Sequence, residues 1–336
     1  MSDRDCCKDL IIGPVSHTAP FARSKALILP PDLPEDLQSL VVMDHKLGMC
    51  RFDGVREFYI NYPKDGRAFI SAARYAVIGA TALGDTGMFN CILADVAKYP
   101  RNVKHPQAEL AASVFHSWLR QWLKIPDDGV CERLRSVDPE QLPDAWRSHL
   151  HYSLLGTLMA HGELMAAYAL AVGELFYTKR HAGESLDETW LMVVCALANR
   201  DDGRPDDELV WFGRAVDAAG KAGYALPFLG IMLGSGSMLE KALAERSPAM
   251  LNVVREHTNG FHRGRIRLRN AYTGGAAAEC LTMREFYLAA QLARGMRYKS
   301  LAKRMGITPG RLKNIALQVH EKLHVHTKKE LARFVW

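Results

Sequence analysis

The chain has 336 residues, 48% of them hydrophobic and 24% charged, a balance that excludes wholesale disorder and leaves room for two or three globular domains. Its formal net charge of +6 is unevenly spread: the last 74 residues carry +12 and the first 262 carry −6. Basicity gathered at one end points to a polyanion partner for that end, and says little about the rest.

Residues 1–45 contain "GPVSHTAP" and "ILPPDLPEDL", prolines too closely spaced to sustain an element, so an extended or partly ordered lead-in is expected. From 46 to 262 the apolar residues recur at helical spacing, with Gly, Pro and Asp as punctuation and no alternating β-branched run. Helix starts are predicted near Asp65, Pro106, Asp144, Glu184 and Leu226, roughly 40 residues apart, and a second helical stretch lies between several of them. That period is expected of an α-solenoid of helix pairs, in which each pair buries its apolar face only against its neighbours. The best unit, "HYSLLGTLMAHGELMAAYALA", resembles the tetratricopeptide pattern in its aromatic Tyr152, in Leu155 and Gly156 where two helices approach, and in its turn glycine Gly162. Residues 154–176 are the most apolar stretch, but His161, Glu163 and Glu174 interrupt them, which fits a packed helix pair and not a membrane span.

Residues 263–278 hold four arginines and no acid, and 263–279 read as a basic linker. Behind it, 280–336 is predicted to form a small four-helix module. Thr282 and Glu285 make a capping box, Leu288, Ala289 and Leu292 an apolar stripe, and Gly295 a stop. A second helix runs from about Tyr298 to Met305, with Gly306 suited to a left-handed end. Thr308 as N-cap and Pro309 at the first helical position open a third helix to about Leu323. Leu312, Ile315, Ala316, Val319 and Leu323 share one face of it, while Arg311, Asn314, Gln318 and Glu321 lie opposite, with Lys313 beside them. Thr327 and Glu330 suggest another capping box opening a short fourth helix. Two helices joined by a tight turn, the second showing basic and amide side chains near its start, describe a helix-turn-helix.

The blocks "LTMRE", "ARG" ending at Gly295, "LAKRMGIT", "LK" at Leu312 and Lys313, and "KLHV" at Lys322 to Val325 resemble the C-terminal DNA-binding domain of the LuxR (GerE, FixJ) family without a gap. The helical spacing sets Arg311, Lys313, Asn314 and Gln318 opposite the apolar stripe, where they would face the major groove, and Lys299, Lys303 and, at the helix start, Thr308 would meet phosphate, so these seven are the expected DNA-binding residues. The resemblance implies double-stranded DNA as partner and a homodimer on DNA. Where the family usually has Thr-Val this chain has Arg311-Leu312, a common histidine is Ile315, and an acid on the second helix is Ser300. A sequence preference of its own is therefore expected. Helical repeats followed by such a module look like the C-terminal half of MalT-type regulators, with an unknown small-molecule or protein effector. No G-x-x-x-x-G-K-[ST] motif occurs, so no nucleotide cofactor is expected.

Thirteen histidines and seven cysteines form no HExxH and no CxxC pair, and His149 and His151 cannot face one ligand from one helix. "LGSGSM" from Leu233 and "DDGRPDDE" from Asp201 read as a loop and as acids opening a helix, not as phosphate or calcium sites. No metal site and no enzyme are expected, and "MSDRDCCKDL" carries no signal peptide, which suits a cytoplasmic protein. The expectation is an all-α DNA-binding transcription regulator. The alternative is a helical-repeat interaction scaffold whose degenerate, non-DNA-binding helix-turn-helix serves only dimerisation.

Overall fold

Pro34, with φ fixed at −54°, stands directly before α1 (Glu35–Gly48), and Glu35 and Asp36 occupy its first turn, where the helix dipole favours acids. In this computed structural model, which describes residues 10–11, 29, 33–125, 144–161, 163–181, 187–231 and 237–335, the expected lead-in of 1–45 thus gives way to helix within its own span. A proline run suppresses helix only as far as its last proline. The chain continues through α2 (Val55–Asn61), α3 (Phe69–Leu83), α4 (Thr86–Asn102) and α5 (Ala108–Trp122).

The centre of the body is α3, in which every residue from Phe69 to Thr81 is buried. Its polar groups are satisfied by their neighbours. The Arg74 guanidinium lies 4.7 Å from the Trp118 ring centre, and the Thr81 hydroxyl donates to the Val77 carbonyl at 2.7 Å while accepting from Trp122 Nε1 at 2.9 Å.

Helices α6 (Asp144–His161), α7 (Leu164–His181), α8 (Asp187–Asp201) and α9 (Pro205–Ala222) follow, each packed on the one before. Pro205 takes the first position of α9, Asp206, Asp207 and Glu208 fill its first turn, and Gly223 ends it in the left-handed region at φ 70°. In the tetratricopeptide-like unit, Leu155 is buried, but Gly156 is pressed against the preceding helix: a β-carbon there would lie 2.3 Å from Gln121 Oε1. Its turn residue Gly162 lies outside the described residues, as do 233–236 of "LGSGSM".

After the short α10 (Leu226–Leu229) come α11 (Ser237–Arg246) and the long α12 (Pro248–Thr273). α12 returns to α3 and α4, a contact that a stack of nearest neighbours would not make. Gly264 marks the crossing, since a β-carbon there would sit 1.7 Å from the Thr81 carbonyl oxygen. Residues 263–273, expected as the start of a basic linker, are instead the last turns of this helix. Arg265 and Arg269 are buried in it, because one face of an arginine-rich helix can pack while the other is solvated.

The apolar interior falls into two clusters, one spanning the body from Leu10 to Leu268 and one confined to Ala278–Val335. The second is built by α13 (Met283–Ala293), α14 (Tyr298–Arg304), α15 (Pro309–Leu323) and α16 (Ala332–Val335). The fold is all-α, with no strand among the described residues, and none of their helices is long and apolar enough to cross a membrane.

Candidate nucleic-acid interface

The module that ends the chain is organised by its caps. The Thr282 amide donates to Glu285 Oε2 at 2.8 Å, and the Glu285 amide returns the bond to Thr282 Oγ1 at 3.3 Å, closing the box that opens α13. Lys322 of α15 reaches both Glu285 oxygens at 2.8 Å. Burial alone would raise the Glu285 pKa, but Lys322 and the Thr282 bonds hold it below the ordinary carboxylate range. Gly295 (φ 85°) and Gly306 (φ 62°) take the left-handed turns after α13 and α14, and Thr308 Oγ1 accepts from the Arg311 amide at 3.3 Å to start α15.

Leu312, Ala316, Val319 and Leu323 of α15 are buried against Leu288, Leu292, Leu301 and Met305, with Ile315 partly buried beside them. This amphipathic division settles what the opposite face presents. Lys299 and Lys303 on α14, Thr308 at the cap, and Arg311, Lys313, Asn314 and Gln318 on α15 are all exposed. Among the described residues none of the four basic side chains in this set is held in an ion pair. Thr308 already spends its hydroxyl on the cap. Leu317, 61% exposed, sits on the same outer surface, an apolar side chain among polar ones.

One cation escapes sequence reasoning. Arg284, in the first turn of α13, feels Arg311 across the module and Glu240 from α11 of the body. Burial first, then Arg311, lowers its pKa, and Glu240 opposes them. Only the tertiary approach of α13 to the start of α15 brings Arg284 and Arg311 together, so no local pattern signals it. The fourth helix also starts later than expected. Glu330 takes the His326 amide at 3.0 Å and the Thr327 hydroxyl at 2.8 Å, which closes a turn, and helix follows only at α16.

The module rests on the body along a definite seam. Arg304, ending α14, pairs with Asp201 at the end of α8, and Asp201 also receives Arg200 Nε at 2.7 Å. Burial would raise the Asp201 pKa, yet these two arginines keep it below the ordinary carboxylate range. The rings of His262 and Phe286 meet edge to face at 5.0 Å, Asn259 Oδ1 accepts from the Met283 amide at 3.4 Å, and Arg269 donates to the Val335 carbonyl at 3.4 Å. The connection between α12 and α13 is tied at its far end. The Asn270 side chain holds Ala277 through both its amide and carbonyl at 2.9 Å, and Ala278 donates to the Phe334 carbonyl at 2.8 Å. Phe334 packs partly against the module's own core, and Trp336 lies outside the described residues.

His151 Nδ1 lies 2.6 Å from Glu174 Oε1, and among the described residues no group of three or more His, Cys, Asp or Glu side chains is placed to hold a metal. Asp202 of "DDGRPDDE" pairs with Arg204 at 2.9 Å. In comparisons with known proteins, no family model, no curated protein and no solved structure matches the chain.

Proposed function

We propose that the chain is a DNA-binding transcription regulator. In this reading, α14 and α15 form a LuxR-type helix-turn-helix that binds promoter DNA, and the helical body, a tetratricopeptide-like solenoid closed by α12, receives a ligand or protein signal. The observation that carries it is the outer face of α15. Arg311, Asn314 and Gln318 are exposed opposite a buried apolar stripe, and Lys299 and Lys303 are exposed on the helix before. Arginine pairs with guanine, and asparagine or glutamine with adenine, in the major groove, while lysines meet phosphate. A homodimer would place two such helices about one DNA turn apart, roughly 34 Å, on a symmetric site.

Gel-shift titration of the full chain on random duplex DNA tests the reading. Binding whose logarithm falls linearly with the logarithm of salt concentration, by about 0.9 per phosphate contacted, is the expected result. No shift at low salt would refute it. Leu317 favours a second reading, an interaction scaffold in which the module only pairs copies, because exposed leucine suits a protein contact better than a groove floor. In that case Leu317→Ser would dissociate the dimer in sedimentation while the chain showed no DNA shift at any salt.

A further inference from the structure

Leu301 and Ala302 of α14 are buried, whereas Lys299, Ser300 and Lys303 are exposed. Lys299 and Lys303, four residues apart, share one row of the helix surface, and Ser300 and Arg304 share the row beside it. By position, then, Arg304 belongs with the two lysines on the outer side of α14. Its guanidinium is engaged elsewhere. It pairs with Asp201 at the end of α8, and the oxygen it meets, Oδ1, is the same one that takes Arg200 Nε at 2.7 Å.

The ties from His262 to Phe286, from Asn259 to Met283 and from Arg269 to Val335 run from α12 to α13 and α16, helices that carry none of the seven expected DNA-binding residues. They seat the module without drawing on α14. The Asp201–Arg304 pair instead takes a cation from α14 itself. Its side chains keep 24% and 26% of their surface exposed, so it lies where solvent and a passing polyanion reach it, and an ion pair in contact with water is weak enough to be exchanged.

An arginine fork engages two phosphate oxygens at once, which a lysine cannot do. A carboxylate on the same guanidinium occupies that fork and also repels the phosphate that would replace it. Arg200 holds Asp201 from the body side, so the carboxylate stays with the body when the module moves. We propose that Arg304 is a further DNA-contacting residue, a phosphate ligand that Asp201 withholds while the module is seated on the body. The inference rests on the regulator reading above and gives it a means of control: a signal that draws the end of α8 away from α14 releases Arg304 and strengthens DNA binding.

Fluorescence anisotropy of the full chain on a random duplex, across a salt series, reads both the affinity and the number of phosphates contacted. Asp201→Asn removes the charge with little change of shape. It should bind about fivefold more tightly near 0.1 M salt, with a salt slope steeper by about 0.9, the value of one phosphate. Asp201→Ser, which removes the same charge with a smaller side chain, should do likewise, so a folding defect in one variant does not decide the result. Arg304→Ala should leave the parent's slope unchanged, and in the Asp201→Asn chain it should return the slope to the parent's value. A slope unmoved by both Asp201 variants overturns the proposal. So does a steeper slope that survives Arg304→Ala, which would assign the gain to the lost carboxylate alone, and so does a parental slope that falls on Arg304→Ala, which would show the arginine already on phosphate. Failure of the parent and every variant to bind at low salt would refute the regulator reading, whereas binding with none of these changes in slope would refute the Arg304 assignment alone.

Discussion

Gly264 shows at single-residue scale why α12 cannot be a linker. Its α-carbon is pressed so closely on the end of α3 that a β-carbon would overlap the Thr81 carbonyl oxygen, at 1.7 Å, and would lie 3.3 Å from the Gly84 amide. Backbone on both sides leaves nothing flexible to move, so Gly264→Ala should destabilise the body by about 3 kcal/mol, the upper end of the cost of overpacking. The midpoint of urea unfolding measures this, and an unchanged midpoint would mean that α12 does not cross α3 there. Glu208 offers a test in pH. It is 4% exposed, its Oε1 has no partner among the described residues, and burial raises its pKa to about 7 against the opposing pull of Arg200 and Arg304, with Asp201 adding to the rise. A carboxyl raised on folding carries no penalty below its unfolded pKa. It destabilises increasingly as pH climbs from about 4.5 to 7, reaching on the order of 3 kcal/mol above that. Glu208→Gln should therefore raise the unfolding temperature at pH 8 and leave it nearly unchanged at pH 5. Equal effects at the two pH values would contradict this account of its environment.

At the scale of elements, what the sequence made legible was local chemistry. The box of Thr282 with Glu285, the left-handed Gly295 and Gly306, the Thr308 cap followed by Pro309, and the buried stripe of α15 each depend on residues three or four apart. Each therefore appears in the structure much as the spacing implies. What stayed illegible depends on distant partners. Arginines at 263, 265, 267 and 269 look solvated from their own neighbourhood. The crossing of α3 at Gly264, the ring of Phe261 beside Arg265 and the Val335 carbonyl above Arg269 make their helix a packed one. Arg284 was missed for the same reason, and α1 was hidden by the prolines in front of it. On α14, whose outer side carries Lys299 and Lys303 exposed, lysines can reach only phosphate in the proposed docking. Either Lys→Ala change should weaken binding to every duplex alike and make the salt dependence shallower by about one counterion. Gel-shift titrations on two unrelated duplexes check it, and a loss confined to one sequence would assign the lysine to a base.

The whole molecule is a helical body that closes on itself through α12 and carries its terminal module on a seam of charge and ring contacts. A helix running unbroken to Thr273 shields the bonds after Arg263, Arg265, Arg267 and Arg269. Trypsin acting on the native chain should spare them, as mass spectrometry of the first fragments would show. Early products starting at Gly264 or Ile266 would restore the linker. Elastase, which cuts after small residues, should instead find the exposed Gly274–Ala276 between the two cores. The central claim is that α15 reads base edges. Fluorescence anisotropy of the full chain on a selected duplex and on random duplexes, across a salt series, tests it most directly. The account predicts that Arg311→Ala and Asn314→Ala each cost about 1 to 3 kcal/mol on the selected duplex and relax preference at one position, with little loss on random DNA. Equal affinity for every duplex, unchanged by either substitution, would contradict it.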